Sequence, residues 1–375
     1  MSKRKNIFII AGESSGDQHA AEYINQHLEI NSDILFTAFG QNEVEKTNAK
    51  LIYNTEKISV IGIIEVVAKY KEISNALNIA KSHIKNHRPN LIVLVDYIEF
   101  NFKIAKYARQ LNIPVLFYIA PQVWAWRERR AQGFMNSINH LAVIFPFEED
   151  FFKKYSNNVS YVGHPLFKRK ELQQPMIDYE IRDTDLGIFP GSRESEIKNN
   201  LHIMLDCIQK NKNDKINIFY ANETSKYFLK KLLPANYHNY LVSGKDINKV
   251  RNCKKALCAS GTITLELAML KVPMIIVYKL SYISYFIMKI LVKVKYIGLV
   301  NLILGKKMGS EPIVNEYIQP SYSDQVDIMV ELNKIDSDEM YRNKMITNYD
   351  KLSNVLSHKP SENLAEIANR LIDSI

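Results

Sequence analysis

A short turn, Ser260-Gly261-Thr262, has the residue types of an anion-binding site. Residues 255–259 before it read as a buried strand, and Leu265 and Ala268 after it repeat at helical spacing. Because the backbone N–H groups at the start of a helix attract anionic oxygen, the turn predicts a phosphate site. Glu266, in the first helical turn, has the chemistry to accept two hydrogen bonds from a ribose diol beside that phosphate. A capped helix without a ligand is the alternative.

A second turn of the same kind lies earlier in the chain, at Phe189-Pro190-Gly191-Ser192-Arg193-Glu194. It also follows a short apolar stretch, 186–189, and precedes a helical one. Open parallel sheets bind ligands at the carboxyl ends of their strands. Two such turns in the second half of the chain therefore favour the phosphate interpretation over two unrelated helix caps. They also predict that the ligand binds in a cleft between the two halves.

The first turn of the chain is Ala11-Gly12-Glu13-Ser14-Ser15-Gly16-Asp17, between the apolar stretch 6–10 and a helix that continues to about Leu28. This order of strand, turn and helix predicts the opening unit of a doubly wound α/β domain. The turn is neither GxGxxG nor a P-loop. It matches G-x-S-x-G with Ser14 at the centre, so a serine esterase is one alternative, although that elbow normally follows several strands.

Asp96 is the first candidate for proton transfer. The continuous apolar run 91–95 predicts a buried strand that delivers Asp96 to its carboxyl end, where ligands bind in such sheets. A carboxylate at this place can act as a general base or merely cap the following helix. His19 and Glu99 are the alternatives for the base.

The segment 122–130 contains both tryptophans of the chain, Trp124 and Trp126, and three arginines that begin with Arg127. Aromatic and arginine side chains stack on unpaired bases, so an RNA-binding protein is the rival interpretation from another class.

Composition limits the alternatives further. A length of 375 residues favours two domains, each with its own core, and we place them at 1–165 and 166–355, with a final helix at 356–375 that packs back on the first domain. The net charge of +9 suits phosphorylated substrates, an anionic membrane or a nucleic acid. Three cysteines form neither a disulfide framework nor a zinc motif. The first residues lack the features of a signal peptide, which predicts a cytoplasmic protein.

Two segments combine apolar and basic residues, 63–70 and 280–304. For 63–70 we expect packing in the core, with a surface patch as the alternative. For 280–304, a helix buried in the core and an interfacial helix at an anionic membrane are both open.

Seven strings, taken in order over nearly the whole chain, resemble the lipid-A-disaccharide synthase family of GT-B glycosyltransferases. They are Ala11–Asp17, Gln122-Val123-Trp124-Ala125-Trp126-Arg127, Phe145-Pro146-Phe147-Glu148, Gly163-His164-Pro165, Phe189–Arg193, Ala259–Thr262 and Asn301-Leu302. One departure concerns Asp96–Asn101, where the family has Asp-x-Pro-Asp-Phe-Asn. Ile98 replaces the proline and Glu99 the second aspartate.

The resemblance implies two Rossmann-like doubly wound domains that face each other across a cleft. It implies transfer of 2,3-diacylglucosamine from its UDP conjugate to 2,3-diacylglucosamine 1-phosphate, with inversion and release of UDP, at the cytoplasmic face of the inner membrane. Asp96 and Arg193 would be catalytic, the latter because the departing diphosphate gains charge. The implied substrate-binding residues are Glu13, Ser14, Ser15, Gly16, Asp17, Trp124, Arg127, Gly191, Ser192, Ser260, Gly261, Thr262, Glu266 and Asn301.

For its partners, we expect a UDP-sugar donor, an acylated sugar phosphate acceptor and the anionic surface of the inner membrane. We expect no metal, no cofactor and no nucleic acid, and a homodimer is the candidate assembly.

Overall fold

The computed structural model describes residues 4–59, 69–123, 128–208, 215–280, 285, 296–308 and 312–374. The chain divides into two compact units. Unit 1 comprises Met1–Pro165 together with His358–Ile375, and unit 2 comprises Leu166–Ser357. Trp124 and Arg127, and most of the two apolar and basic segments, lie outside the described residues.

Unit 1 is built on a parallel sheet of seven strands in the order β3-β2-β1-β4-β5-β6-β7. The strands are β1 Asn6–Ala11, β2 Leu35–Gly40, β3 Lys50–Asn54, β4 Leu91–Val95, β5 Val115–Tyr118, β6 His140–Val143 and β7 Val159–Tyr161. The central strands are apolar because helices cover both faces of a doubly wound sheet, and all five residues of β4 are buried. The strand order reverses between β1 and β4, where Ala11 pairs with Val95. Their two turns therefore meet at the topological switch point, the usual place for a ligand.

The helices between these strands are α1 Ser14–Ile30, α2 Asn42–Glu45, α3 Tyr70–His87, α4 Ile98–Gln110, α5 Ala131–Met135 and α6 Pro146–Phe152. Helix α1 directs Ala20, Ala21 and Ile24 into the core, which explains its position against β1. Proline at the first position of α6 costs no hydrogen bond there and favours the start of that helix.

Unit 2 is built on a second parallel sheet, of six strands in the order β10-β9-β8-β11-β12-β13. The strands are β8 Thr184–Phe189, β9 Ile216–Tyr220, β10 Leu241–Ser243, β11 Cys253–Cys258, β12 Met274–Tyr278 and β13 Glu316–Ile318. Here the order reverses between β8 and β11, where Phe189 pairs with Cys258. Both predicted phosphate turns begin directly after these two paired residues.

The helices of unit 2 are α7 Glu194–Ile208, α8 Glu223–Leu232, α9 Ile247–Arg251, α10 Ile263–Met269, α11 Leu299–Met308, α12 Tyr322–Ser337 and α13 Glu339–Leu356. Helix α12 begins at a capping box, in which Ser321 and Asp324 each satisfy a backbone N–H group of the other residue. The predicted fold class, α/β with two doubly wound parallel sheets, is confirmed.

The last helix, α14 Leu364–Asp373, belongs to unit 1. It is strongly amphipathic and buries Ala365, Ile367 and Ala368. Two polar contacts fix this terminal segment: Nε2 of His27 lies 3.2 Å from Oδ1 of Asn369, and the Ser160 hydroxyl donates to Glu362 at 2.8 Å.

Candidate active site

The turns after β1 and β4 are packed directly against each other in unit 1. A Cβ atom added to Gly12 would lie 2.1 Å from Cδ1 of Tyr97, so only glycine fits beneath that ring. The Tyr97 hydroxyl donates to the carbonyl oxygen of Ile58 at 2.7 Å. The Tyr97 ring therefore packs the turn that contains Glu13 and Ser14 against the turn that contains Asp96.

Asp96 occupies a strained backbone position at the end of β4. Asp96 and Tyr97 both have positive φ angles, 48° and 47°, which non-glycine residues rarely adopt. The Asn101 side chain holds this conformation, because its amide donates to Val95 O at 3.2 Å and Asp96 O at 2.8 Å. Strain of this kind costs about 1–3 kcal/mol per residue, and strained residues often cluster at functional sites. The residue at the N-cap position of α4 is Tyr97, so Asp96 lies one residue before that position.

The two alternatives for the base have different surroundings. Glu99 is exposed and pairs with Nη1 of Arg130 at 3.2 Å. His19 lies on α1 with its ring 6.3 Å from that of Tyr118, and among the described residues its buried Nδ1 has no hydrogen-bond partner. Nearby His164 is held neutral, because burial and the proximity of His19 lower its pKa to about 3.

The first turn of α1 contains exposed and buried candidates. Ser14 and Ser15 are exposed, Glu13 is half-buried at the N-cap position, and Gly16 is buried. Asp17 is only 2% exposed, and its carboxylate accepts the backbone N–H groups of Gln41 at 2.5 Å and Glu43 at 2.8 Å. Burial raises the pKa of Asp17, and these hydrogen bonds oppose that shift. The structure thus gives Asp17 a structural function, fixing the segment after β2, in place of the predicted substrate contact.

The turn after β8 is organised by a residue that sequence analysis missed. Gly191 has a φ of +123°, which favours glycine. The carboxylate of Glu196 accepts the N–H group of Ser192 at 3.0 Å and Nη1 of Arg193 at 3.0 Å. The signal available in the sequence was the spacing of Arg193 and Glu196, since residues three apart are neighbours on a helix.

The turn after β11 leads into α10, which has no side-chain cap. The N–H groups of Thr264 and Leu265 donate to the carbonyl oxygens of Gly261 and Thr262 at 3.1 and 3.0 Å, so the N–H groups before Thr264 are the ones that suit an anionic ligand. A Cβ atom added to Gly261 would meet nothing within 4 Å. The Ser260 hydroxyl, however, donates to the carbonyl oxygen of Ile297 at 3.1 Å and so holds the turn in place.

Glu266 lies one turn into α10 and pairs with Arg169, a second residue that sequence analysis missed. Oε1 of Glu266 is 3.4 Å from Nη1 of Arg169, and the glutamate side chain is 18% exposed. Burial raises the pKa of Glu266, whereas the charge of Arg169 lowers it. Arg169 lies in the polar and charged stretch 166–185, and nothing in the sequence of that stretch points to Glu266.

Asn301 does not have the exposed amide that its predicted contact with substrate requires. It is fully buried, and its Nδ2 donates to Val314 O at 2.7 Å and to Oε1 of Glu316 at 2.6 Å. Its Oδ1 accepts the N–H groups of Ile313 at 2.7 Å and Val314 at 3.1 Å. All four hydrogen-bonding positions of the amide are therefore occupied, and the prediction is corrected to a structural role.

Two sets of candidates result, each at the carboxyl edge of one sheet. The unit 1 set comprises Glu13, Ser14, Ser15 and Asp96, and the unit 2 set comprises Gly191, Ser192, Arg193, Ser260, Gly261, Thr262 and Glu266. Within the described ranges, no group of three His, Cys, Asp or Glu side chains could hold a metal ion. Across those same ranges, no helix is long and apolar enough to cross a membrane.

Solved structures with the same fold are distant in sequence. UDP-N-acetylglucosamine 2-epimerase from Rickettsia bellii has a TM-score of 0.59 at 14% identity and covers 100% of this chain and 98% of its own. The S. aureus MnaA–UDP co-structure has a TM-score of 0.58 at 12% identity and covers 96% and 99%. The calicheamicin glycosyltransferase has a TM-score of 0.58 at 12% identity and covers 99% of each chain.

Sequence relatives are much closer. The lipid-A-disaccharide synthase of Nitrosococcus oceani is 32% identical over 321 residues, 82% of each chain, and that of Coxiella burnetii (strain CbuK_Q154) is 30% identical over 383 residues, 99% of each. A family model described as lipid-A-disaccharide synthetase matches residues 7–368. The RNA-binding and serine-esterase alternatives gain no support from these matches. The chain belongs to the lipid-A-disaccharide synthase family, whose members are glycosyltransferases of lipid A biosynthesis.

Proposed function

We propose that this chain transfers 2,3-diacylglucosamine from its UDP conjugate to the 6-hydroxyl of 2,3-diacylglucosamine 1-phosphate, forming a β(1→6) disaccharide and releasing UDP. The observation that carries the proposal is the pair of turns after the adjacent strands β8 and β11. They bring the Gly261 backbone and the Arg193 guanidinium to one edge of unit 2. A diphosphate is the ligand that such an edge suits best.

In this proposal, the unit 2 set binds the donor. The N–H groups of the Ser260-Gly261-Thr262 turn would contact one phosphate, and Glu266 would accept hydrogen bonds from the ribose. UDP is also the nucleotide in the S. aureus structure of the same fold. Arg193 would stabilise the charge that develops on the diphosphate as the glycosidic bond breaks, a contribution that is largest in the transition state.

Unit 1 would supply the base. A sugar hydroxyl has too high a pKa to ionise unaided, so a carboxylate must remove its proton as the oxygen attacks the anomeric carbon. Asp96 is the best candidate because its backbone is held in a strained conformation by Asn101 and Tyr97. Direct attack inverts the anomeric centre and needs no covalent intermediate, so Ser14 has no part as a nucleophile.

The substrates also suggest where the enzyme works. Both are acylated and anionic, so they reside in a membrane, and the net charge of +9 favours an anionic surface. We propose peripheral association with the cytoplasmic face of the inner membrane through the apolar and basic segments within 63–70 and 280–304.

A two-substrate assay tests the proposal. The purified chain is incubated in detergent micelles with the UDP conjugate, the monosaccharide 1-phosphate, or both, and products are identified by mass spectrometry. We expect the disaccharide 1-phosphate and an equal amount of UDP only when both substrates are present. Release of UDP at the same rate without the acceptor would contradict the proposal, because it would indicate hydrolysis.

A further inference from the structure

Glu196 accepts hydrogen bonds from two groups in the β8–α7 turn. One carboxylate oxygen, Oε1, accepts Nη1 of Arg193 at 3.0 Å, and the other, Oε2, accepts the Ser192 N–H group at 3.0 Å. The Glu196 side chain is 16% exposed and that of Arg193 is 36% exposed. A single, mostly buried anion therefore sets the direction of the guanidinium relative to the backbone N–H group beside it.

The backbone of this turn packs closely against the Glu196 side chain at Gly191. A Cβ atom added to Gly191 would lie 2.7 Å from Cβ of Glu196 and 2.8 Å from its Oε2. The fully buried Asn200 joins the turn to the end of β12, because it donates to Pro190 O at 3.4 Å and accepts the Lys279 N–H group at 2.7 Å. The turn is thus fixed on both sides, and the carboxylate has little freedom to move away from Arg193.

A carboxylate beside a phosphate site opposes the binding of an anion, so its presence requires a compensating function. The charge of Glu196 also acts on Tyr278 at the end of β12. Burial raises the pKa of Tyr278 to about 12, the negative charge of Glu196 raises this pKa as well, and the positive charge of Arg193 lowers it. The geometry allows one compensating function, in which Glu196 fixes the position of the Arg193 guanidinium before the reaction begins. A guanidinium already held in place loses no free energy to reorganisation when charge develops on the leaving group.

We propose that Glu196 is a positioning residue, which holds the Arg193 guanidinium in the orientation that stabilises the departing diphosphate. This inference rests on the proposed function, in which Arg193 acts on that leaving group. Loss of Glu196 would then lower kcat. It would leave the donor KM unchanged or lower, because a negative charge is removed from the donor site.

Glu196→Gln tests this directly, and Glu194→Gln is the matched control. The control makes the same charge change in the same turn at an exposed side chain. We expect kcat to fall about ten- to a hundredfold in Glu196→Gln, the scale of a displaced catalytic group, and to stay normal in the control. Glu196→Asp, which keeps the charge but shortens its reach, should also lose kcat. In an Arg193→Ala background, Glu196→Gln should add no further loss, because its effect passes through the arginine.

The outcomes separate this inference from the proposed function. If Glu196→Gln lowered kcat by the same factor in the Arg193→Ala background as in the wild type, the role of Glu196 would be overturned and the proposed function would stand. A higher donor KM with normal kcat in Glu196→Gln would have the same meaning. If Glu196→Gln also lowered the melting temperature, with the same loss of kcat in both backgrounds, Glu196 would have a structural role and the inference would be overturned. Normal kcat in Arg193→Ala by itself would overturn the proposed role of Arg193, and the inference with it.

Discussion

Asn301→Ala is the substitution that separates a structural from a substrate-binding asparagine most clearly. It would leave three buried polar groups without their partner: the N–H groups of Ile313 and Val314 and the carbonyl oxygen of Val314, whereas Oε1 of Glu316 still accepts the N–H group of Gly298. Each unsatisfied buried group costs about 1–3 kcal/mol, and water that enters the vacated volume recovers part of this. We therefore expect a loss of roughly 3–6 kcal/mol from a total of about 5–15 kcal/mol.

The assay is urea unfolding with thermal melting, and the matched control is Asn333→Ala, an exposed asparagine on α12. In a domain of roughly 150–250 residues, each kcal/mol shifts Tm by about 2–4 °C, so Asn301→Ala should lower Tm by about 10 °C. The control should melt like the wild type. If Asn301→Ala unfolded like the control while its donor KM rose, the asparagine would be a substrate contact and our reading of its hydrogen bonds would be wrong.

Three further predictions concern the site and the core. Glu266→Gln should raise the donor KM about ten- to a hundredfold, because a hydrogen bond to a charged group contributes about 1.5–3 kcal/mol; an unchanged KM in steady-state kinetics would exclude the ribose contact. Asp96→Asn should lose about 10²–10⁴-fold in kcat while it still binds UDP in calorimetry, and near-normal turnover would move the base to another group. Stability should fall as pH drops from about 6.5 towards 4, because burial lowers the pKa of His83 and His140 to about 4 whereas the unfolded chain binds these protons near 6.5. Urea unfolding at several pH values gives the slope of the unfolding free energy against pH, to which each histidine contributes at most about 1.4 kcal/mol per pH unit. His140→Gln should reduce this slope, and an unchanged slope would contradict the assignment.

The strands and turns could be predicted because their causes are local. Continuous apolar runs such as 91–95 and 274–277 are typical of strands that are buried on both faces of a parallel sheet. The order of the strands follows the doubly wound pattern. The positions of Asp96, Arg193 and the Ser260 turn at the sheet edges therefore followed from sequence reasoning.

The use of each polar side chain could not be predicted in the same way. Asp17 and Asn301 have the chemistry to bind a sugar, yet their side chains form hydrogen bonds with backbone groups that are distant in sequence. Arg169 contacts Glu266 across 97 positions of sequence, which no local pattern reveals. Glu196 is the exception, because its spacing from Arg193 was a signal of the pair.

The stereochemistry of the product tests the central claim most directly. The purified chain is given the UDP conjugate, whose anomeric bond is α, together with 2,3-diacylglucosamine 1-phosphate, and the new glycosidic linkage is examined by proton NMR. Direct attack by the acceptor hydroxyl, with Asp96 as base, predicts a β linkage to the 6-position, one UDP for each disaccharide. An α linkage, or a free sugar in place of the disaccharide, would contradict the account.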